Sequence, residues 1–219
     1  MEKLLCPSLM NLPVETLEEE VSRLDAAGVD IFHVDIMDGT FVPNFGMSPR
    51  EIELVRARTN KLLDVHLMVR DPARYIPMFA DLGCDIIYIH VEADPMPTVT
   101  LNQIRSLGKK AGIVINPGTA LETVRPLYSL LDYVMVMTVN PGFCGQPYLE
   151  YVEPKVEQLV QNRTEGSWPF HIVIDGGVNT EILMRLHNKG VEGFVLGNLI
   201  LFQQQESNYS KIVEQIRQM

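Results

Sequence analysis

Apolar residues in this chain fall into short runs separated by longer amphipathic stretches. The runs are "KLLCPSLM" (3–10), "DIFHVDIM" (30–37), "LLDVHLMV" (62–69), "DIIYIHVE" (85–92), "AGIVIN" (111–116), "YVMVMTV" (133–139), "FHIVID" (170–175) and "GFVLG" (193–197). Several are almost continuously apolar and rich in β-branched residues, which predicts strands buried on both faces. Between them, "PVETLEEEVSRLDAAG" sets Val14, Leu17, Val21 and Leu24 at three- and four-residue steps and stops at Gly28, the pattern of an amphipathic helix. "DPARYIPMFADLG" and "NTEILMRLHNKG" are expected to be helices that open on a capping residue and close on glycine. "QNRTEGSWPF", ahead of the seventh run, reads as an irregular surface connection. Eight strands, each followed by a helix, predict an α/β fold, a single-domain (β/α)8 (TIM) barrel over residues 1–219. The competing doubly wound sheet lacks its usual G-x-G-x-x-G turn.

Composition narrows the partners. The net charge of −10 over 219 residues argues against nucleic acid, whose binding rests on clustered Lys and Arg. An anionic small molecule is compatible with that charge only if backbone N–H groups hold it locally. No segment approaches the roughly 20 apolar residues that cross a bilayer, so no membrane role is expected. Cys6, Cys84 and Cys144 are odd in number and show no C-x-x-C spacing, which points to a reduced, cytoplasmic setting.

Working residues of such a barrel sit at the C-terminal ends of its strands. Side chains alternate along a strand, so His33, Asp35 and Met37 share one face while Phe32, Val34 and Ile36 take the other. The polar set is expected to face the barrel axis. In the third run Asp64, His66 and Met68 share a face in the same way, the seventh run ends at Asp175, and the first ends at Ser8. His33, Asp35, His66 and Asp175 can therefore converge, and two imidazoles with two carboxylates suit one divalent transition metal such as Zn, Mn, Fe or Co, Zn leading. His90 is expected in the core or at the rim, and His171 and His187 at the periphery. Met37, Met68 and Met137 fall at inward end positions, where thioethers exclude water without offering a proton.

Glycine clusters supply a second signal. "NPGFCGQP" (140–147), "DGGVN" (175–179) and "LGN" (196–198) follow the sixth, seventh and eighth runs. Glycine lets backbone N–H groups approach a ligand, and phosphate sites of these barrels use the last loops and a short extra helix. "NLILF" after Gly197 is the candidate for that helix.

The motifs "PSL", "HVDIMDGTFVPN", "DVHLMV", "HVEA", "INPGT", "VMTVNPGFCGQPY" and "DGGVN", in this order along nearly the whole chain, resemble the ribulose-phosphate 3-epimerases and their sibling, D-allulose-6-phosphate 3-epimerase. The resemblance implies a (β/α)8 barrel that inverts C3 of a phosphorylated ketose. It implies metal ligation by His33, Asp35, His66 and Asp175, with proton transfer by Asp35 and Asp175. The substrate is expected against Ser8, His66, Met37, Met68 and Met137, and its phosphate on backbone around Gly142, Phe143, Cys144, Gly145, Gly176, Gly177, Gly197 and Asn198. The resemblance further implies a homo-oligomer. The chemistry agrees: a metal acts as Lewis acid on a 2,3-enediolate, and inversion needs two acid/base groups on different sides. "PSLM" is closer to the allulose-phosphate branch and "DGGVN" to the pentulose enzymes; the expected substrates are D-ribulose 5-phosphate and D-xylulose 5-phosphate, with D-allulose 6-phosphate and D-fructose 6-phosphate as the alternative. Two rivals are weaker. A decarboxylase or aldol-type barrel carries Asp-x-Lys-x-x-Asp, where this chain has Met37, and a non-catalytic sugar-phosphate-binding barrel predicts binding without turnover.

Overall fold

The apolar runs become parallel strands because each lies between the barrel interior and a layer of helices, leaving neither face to water. The computed structural model describes residues 2–203 and 208–219. Its strands are β1 (Leu4–Pro7), β2 (Ile31–Met37), β3 (Leu62–Met68), β4 (Ile86–His90), β5 (Lys110–Ile115), β6 (Tyr133–Met137), β7 (His171–Asp175) and β8 (Gly193–Leu196). They pair in the order β1-β8-β7-β6-β5-β4-β3-β2, all parallel. The remaining seam, between β1 and β2, carries a β-bridge between Ser8 and His33 and the Asp30 N–H on the Leu5 carbonyl. The result is a near-closed (β/α)8 barrel.

The helices are α1 (Leu17–Ala27), α2 (Pro49–Arg56), α3 (Ile76–Asp81), α4 (Pro97–Ser106), α5 (Glu153–Gly166), α6 (Thr180–Asn188) and α7 (Tyr209–Gln218). Outward strand residues such as Phe32, Val34, Leu63 and Val65 pack under Val21, Leu24, Ile52 and Val55 of the helices. A second apolar cluster, including Ile31, Ile86, Tyr88, Tyr133, Met135 and Val173, fills the barrel axis. That plug confines the polar inward residues to the other end.

At the N-terminal end of the barrel one arrangement recurs four times. An acid immediately before each even strand accepts a backbone N–H from the odd strand before it: Asp30 from Leu5 at 2.7 Å, Asp85 from Leu63 at 3.0 Å, Asp132 from Ala111 at 2.9 Å and Glu192 from Ile172 at 3.0 Å. In each case the acid's own N–H returns to the carbonyl of the same residue. A cation closes each clasp: Arg217, Arg56, Lys110 and Arg163 in turn. This satisfies backbone groups that the start of a strand would otherwise leave open.

Some sequence expectations need correction. Val14 is exposed and belongs to a 3-10 turn (Val14–Thr16), because α1 begins only at Leu17. Buried Glu20 joins Leu17, Val21 and Leu24 on the inner face of α1, where its carboxylate accepts the Tyr209 hydroxyl of α7. Asp71 does not cap its segment; with φ +52 it leads into a 3-10 turn, Pro72–Arg74, ahead of α3. Asn179 does cap α6, accepting the Ile182 N–H at 2.8 Å. "QNRTEG" is not irregular, because α5 continues through it with Val156 and Leu159 buried and ends in left-handed Ser167. The β5–β6 crossover uses two 3-10 segments, Leu121–Thr123 and Arg125–Leu130, instead of an α-helix; Pro126, lacking an N–H, sits in the first turn of the second. "NLILF" forms a turn, with the Leu201 N–H on the Gly197 carbonyl at 3.0 Å, rather than a helix.

Candidate metal and active site

The register of β2 on β3 sets His33 beside Asp64, Asp35 beside His66 and Met37 beside Met68. All six point into the barrel, so each polar level of this strand pair holds one imidazole and one carboxylate. His33 Nδ1 meets Asp64 Oδ1 at 2.5 Å, which directs Nε2 toward the axis. There Nε2 lies 3.3 Å from Asp35 Oδ1 and 3.9 Å from Asp175 Oδ2. His66 presents Nδ1 to the same two oxygens, at 3.1 and 3.7 Å. The four residues thus bring one donor atom each within 4.8 Å of one another.

His33 Nε2 is completely buried without a hydrogen-bond partner. A buried polar atom in that condition costs free energy unless something else satisfies it. A nitrogen lone pair aimed between two carboxylates and a second imidazole is a place for a cation. The N2O2 donor set fits a divalent transition metal, and Asp64 is the outer carboxylate that commonly orients a metal-ligating histidine.

The electrostatics agree with a concentrated negative field. Burial opposes a charge on His33, yet Asp64 and Asp35 outweigh it and raise the imidazole well above its ordinary value. Burial also opposes ionisation of Asp35, but His33 and His66 hold its carboxyl far below the usual carboxylate range. Asp175 is pushed up to about 6, by burial first and by the Asp35 charge, against the pull of His33. Two carboxylates in one site with affinities pushed apart can serve as base and acid.

Above the donors opens a cavity of about 420 Å³. Asp35, Asp175 and Ser8 form its polar floor, with Met37, Met68 and Met137 around them. Its far wall is backbone: Gly142, Phe143, Cys144 and Gly145 after β6, Gly176 and Gly177 after β7, and Gly197 and Asn198 after β8. Among the described lining residues there is no Lys or Arg. Gly176 is required here, since φ is +117 and a Cβ would sit 2.5 Å from Val139 Cγ2 and 2.8 Å from the Val139 nitrogen. Gly46, in the loop after β2, lets that loop lie directly on Asp35 and Met37, where a Cβ would collide with backbone. From there Asn44 donates to the Gly142 carbonyl at 2.7 Å and ties the two loops together.

The structure thus brings Ser8, the three methionines and all three glycine loops to one cavity, while His33 and His66 lie fully buried beneath it. His90 is in the core, but it also contacts the site: its Nε2 is 2.8 Å from His66 Nε2. His187 is partly buried and bonds the Val191 carbonyl, and His171 is exposed, so both are peripheral. Sequence reasoning missed Asp64 as the partner of His33, although its alternation with His66 was the available signal. It also missed Asn11, Met10 and Asn179 as lining residues, which lie beyond strand ends and leave no periodic trace.

Residues 4–201 match the model of the ribulose-phosphate 3 epimerase family. The chain belongs to that family. Curated relatives include the ribulose-phosphate 3-epimerases of Synechocystis sp., 38% identical over 97% of this chain and 92% of the relative, and of Bacillus subtilis, 38% identical over 97% of both. Solved structures of like fold include KGPDC from Streptococcus mutans, at a TM-score of 0.72 and 12% identity over 99% of both chains. Another is 3-hexulose-6-phosphate synthase from Salmonella typhimurium, at 0.73 and 15% over 100% and 99%. At those identities the structural likeness concerns the barrel alone. All four donors of this epimerase-family chain lie within the matched residues, and they fit a divalent metal.

Proposed function

We propose that the protein is a metal-dependent ketose-phosphate 3-epimerase that interconverts D-ribulose 5-phosphate and D-xylulose 5-phosphate. The observation that carries this reading is the convergence of His33, Asp35, His66 and Asp175 beneath a cavity walled by three glycine loops, in a chain of this family. His33 Nε2, Asp35 Oδ1, His66 Nδ1 and Asp175 Oδ2 would hold the metal. Once bound, it would supply Lewis-acid stabilisation of the charge that forms when the C3 proton leaves a carbon next to a carbonyl.

The remaining work falls to the chain. Asp35 and Asp175 stand on β2 and β7, three strands apart around the ring, and so can address C3 from different sides. Asp35 takes the proton from one epimer, and Asp175 delivers a proton to the other face. In the reverse direction their roles exchange. Ser8 donates to Asp35 Oδ2 at 2.9 Å and fixes the carboxylate plane. The methionines keep water from the carbanion without protonating it. The phosphate lies on the glycine loops and is held by peptide N–H groups, since no cationic side chain lines the described cavity.

The proposal extends to a homo-oligomer in a cytoplasmic setting. The free Cys6, Cys84 and Cys144 support the reducing setting, and the family resemblance supports the oligomer. The test is deuterium uptake at C3 in D₂O with pentulose and hexulose phosphates separately, before and after chelation and metal return. Metal-dependent exchange with epimer formation, and a higher kcat/KM for the pentulose phosphate, is the expected result. Exchange faster with the hexulose phosphate would transfer the substrate assignment, and binding without exchange would replace the enzyme by a binding protein.

A further inference from the structure

A chain of polar contacts leads from the candidate metal position across β3 and β4 to Glu92, just past the end of β4. His66 Nδ1 faces the donors, and His66 Nε2 lies 2.8 Å from His90 Nε2. His90 Nδ1 then lies 3.3 Å from Glu92 Oε2. Glu92 Oε1 is already engaged, accepting the Asn116 N–H at 2.8 Å and the Thr119 hydroxyl. Both rings are completely buried, and Phe41 covers His90 with ring centroids 4.8 Å apart. Water is therefore kept from the contact between the two rings, while Glu92 itself is exposed.

Two neutral imidazoles at 2.8 Å share one proton, which leaves two arrangements. In the first, His66 donates from Nε2, leaving the Nδ1 lone pair free for the metal, and His90 donates from Nδ1 to Glu92. In the second, His90 donates to His66. His66 Nδ1 then carries a proton and cannot ligate, while His90 Nδ1 turns a lone pair on a carboxylate oxygen. Glu92 disfavours the second because both atoms would be acceptors, whereas Asp35 Oδ1, 3.1 Å from His66 Nδ1, favours it until a cation takes that lone pair.

We propose that Glu92, acting through His90, shifts His66 toward the tautomer whose Nδ1 lone pair would face a metal. Both are positioning residues, and their role rests on the reading of the site as a metal centre. The pair does for His66 what Asp64 does for His33, with the ring nitrogens exchanged. Glu92→Gln makes a sharp probe. Asn116 and Thr119 require an acceptor at one end of the side chain, so the amide NH₂ is driven toward His90 Nδ1 and favours the wrong tautomer.

Two readouts test this. The first is the dissociation constant for Zn²⁺ or Co²⁺ alone, by competition with a chelator on metal-stripped, folded protein. The second is the protonated nitrogen of His66, by nitrogen-15 NMR of histidine-labelled protein without metal. In the wild type, where Asp35 and Glu92 pull in opposite directions, a share of His66 is expected to carry the proton on Nε2. In Glu92→Gln that proton is expected to move to Nδ1, with metal affinity lowered about 10–100-fold, the usual size of such outer effects. An unmoved tautomer or an unchanged dissociation constant in Glu92→Gln overturns the inference. Should that variant not fold, His90→Gln and His90→Phe decide. Gln, with a carbonyl for His66 and an amide for Glu92, is expected to stay within about threefold of wild type while Phe loses the 10–100-fold; equal affinities overturn the inference. A folded wild type that takes up neither ion removes the metal centre, and the tautomer measurement still judges Glu92 separately.

Discussion

Ser8 Oγ lies 2.9 Å from Asp35 Oδ2, while Asp35 Oδ1 is the oxygen that faces both histidines. The hydroxyl and the imidazoles therefore divide one carboxylate between them. Hydrogen bonds to charged groups contribute about 1.5–3 kcal/mol, so Ser8→Ala is expected to lower kcat/KM about 10–100-fold. Because Ser8 also orients a carboxylate assigned to the metal, Zn²⁺ affinity is expected to fall as well, by up to about 10–100-fold. Steady-state kinetics beside a chelator competition checks both.

Asp35→Asn and Asp175→Asn are each expected to lower epimerisation by about 10²–10⁴-fold at saturating metal, the range for a lost proton-transfer group. The two should differ in their residual chemistry. Each variant keeps one carboxylate and should exchange the C3 proton of only the epimer that presents that proton to it. Proton NMR of each epimer in D₂O reads this directly. Loss of exchange from the same epimer in both variants would remove the two-base assignment.

Metal uptake should depend steeply on pH. Ligands bind only when deprotonated, and the proton on His33 is held unusually tightly while Asp175 titrates near 6. Below about pH 6 both must lose protons to the metal, so affinity should fall by up to about 100-fold per pH unit there and flatten toward higher pH. Competition titrations from pH 5 to 8 test the slope.

Glu192 tests the other end of the barrel. Burial works against its charge, but the His171 ring, the Ile172 N–H and Arg163 outweigh that and hold its carboxyl below the ordinary value. A depressed carboxyl stabilises the fold fully above the unfolded value, near 4.5, and that contribution disappears as pH falls through the folded value. Glu192→Ala strands Arg163 and should cost roughly 2–4 kcal/mol near neutrality. That corresponds to a Tm loss of about 5–15 °C, with the site's kinetics unchanged. The difference in Tm from wild type should begin to shrink below about pH 4.5 and close only as pH falls through the lower folded value, where the wild-type carboxylate is neutralised.

The barrel was legible because several strands are near-continuous apolar runs and the axis-facing polar residues of β2 and β3 keep strict alternation. His33, Asp35, His66 and Asp175 could be placed from that period alone. The failures have physical causes. His90 and Glu92 sit at and just past the end of β4, and their meaning depends on a ring from β3 that no local pattern announces. Glu20 breaks the apolar stripe of α1 because Tyr209, nearly the whole chain away, supplies its partner. "QNRTEG" carries few apolar residues, yet α5 holds it helical from the buried Val156 and Leu159 upstream. The "NLILF" turn stops short of a helix although its composition is helix-compatible.

The pairing of His33 with Asp64 and Asp35 with His66 across one ladder means that three of the four metal donors, and one of their orienting groups, travel together on two adjacent strands. Such a two-strand cassette is portable. A parallel barrel given these two strands in this register would lack only one carboxylate from the far side and a floor that keeps water out. A shift of the register by a single residue would turn the whole cassette to the helices at once, so its inheritance, natural or engineered, is all or nothing.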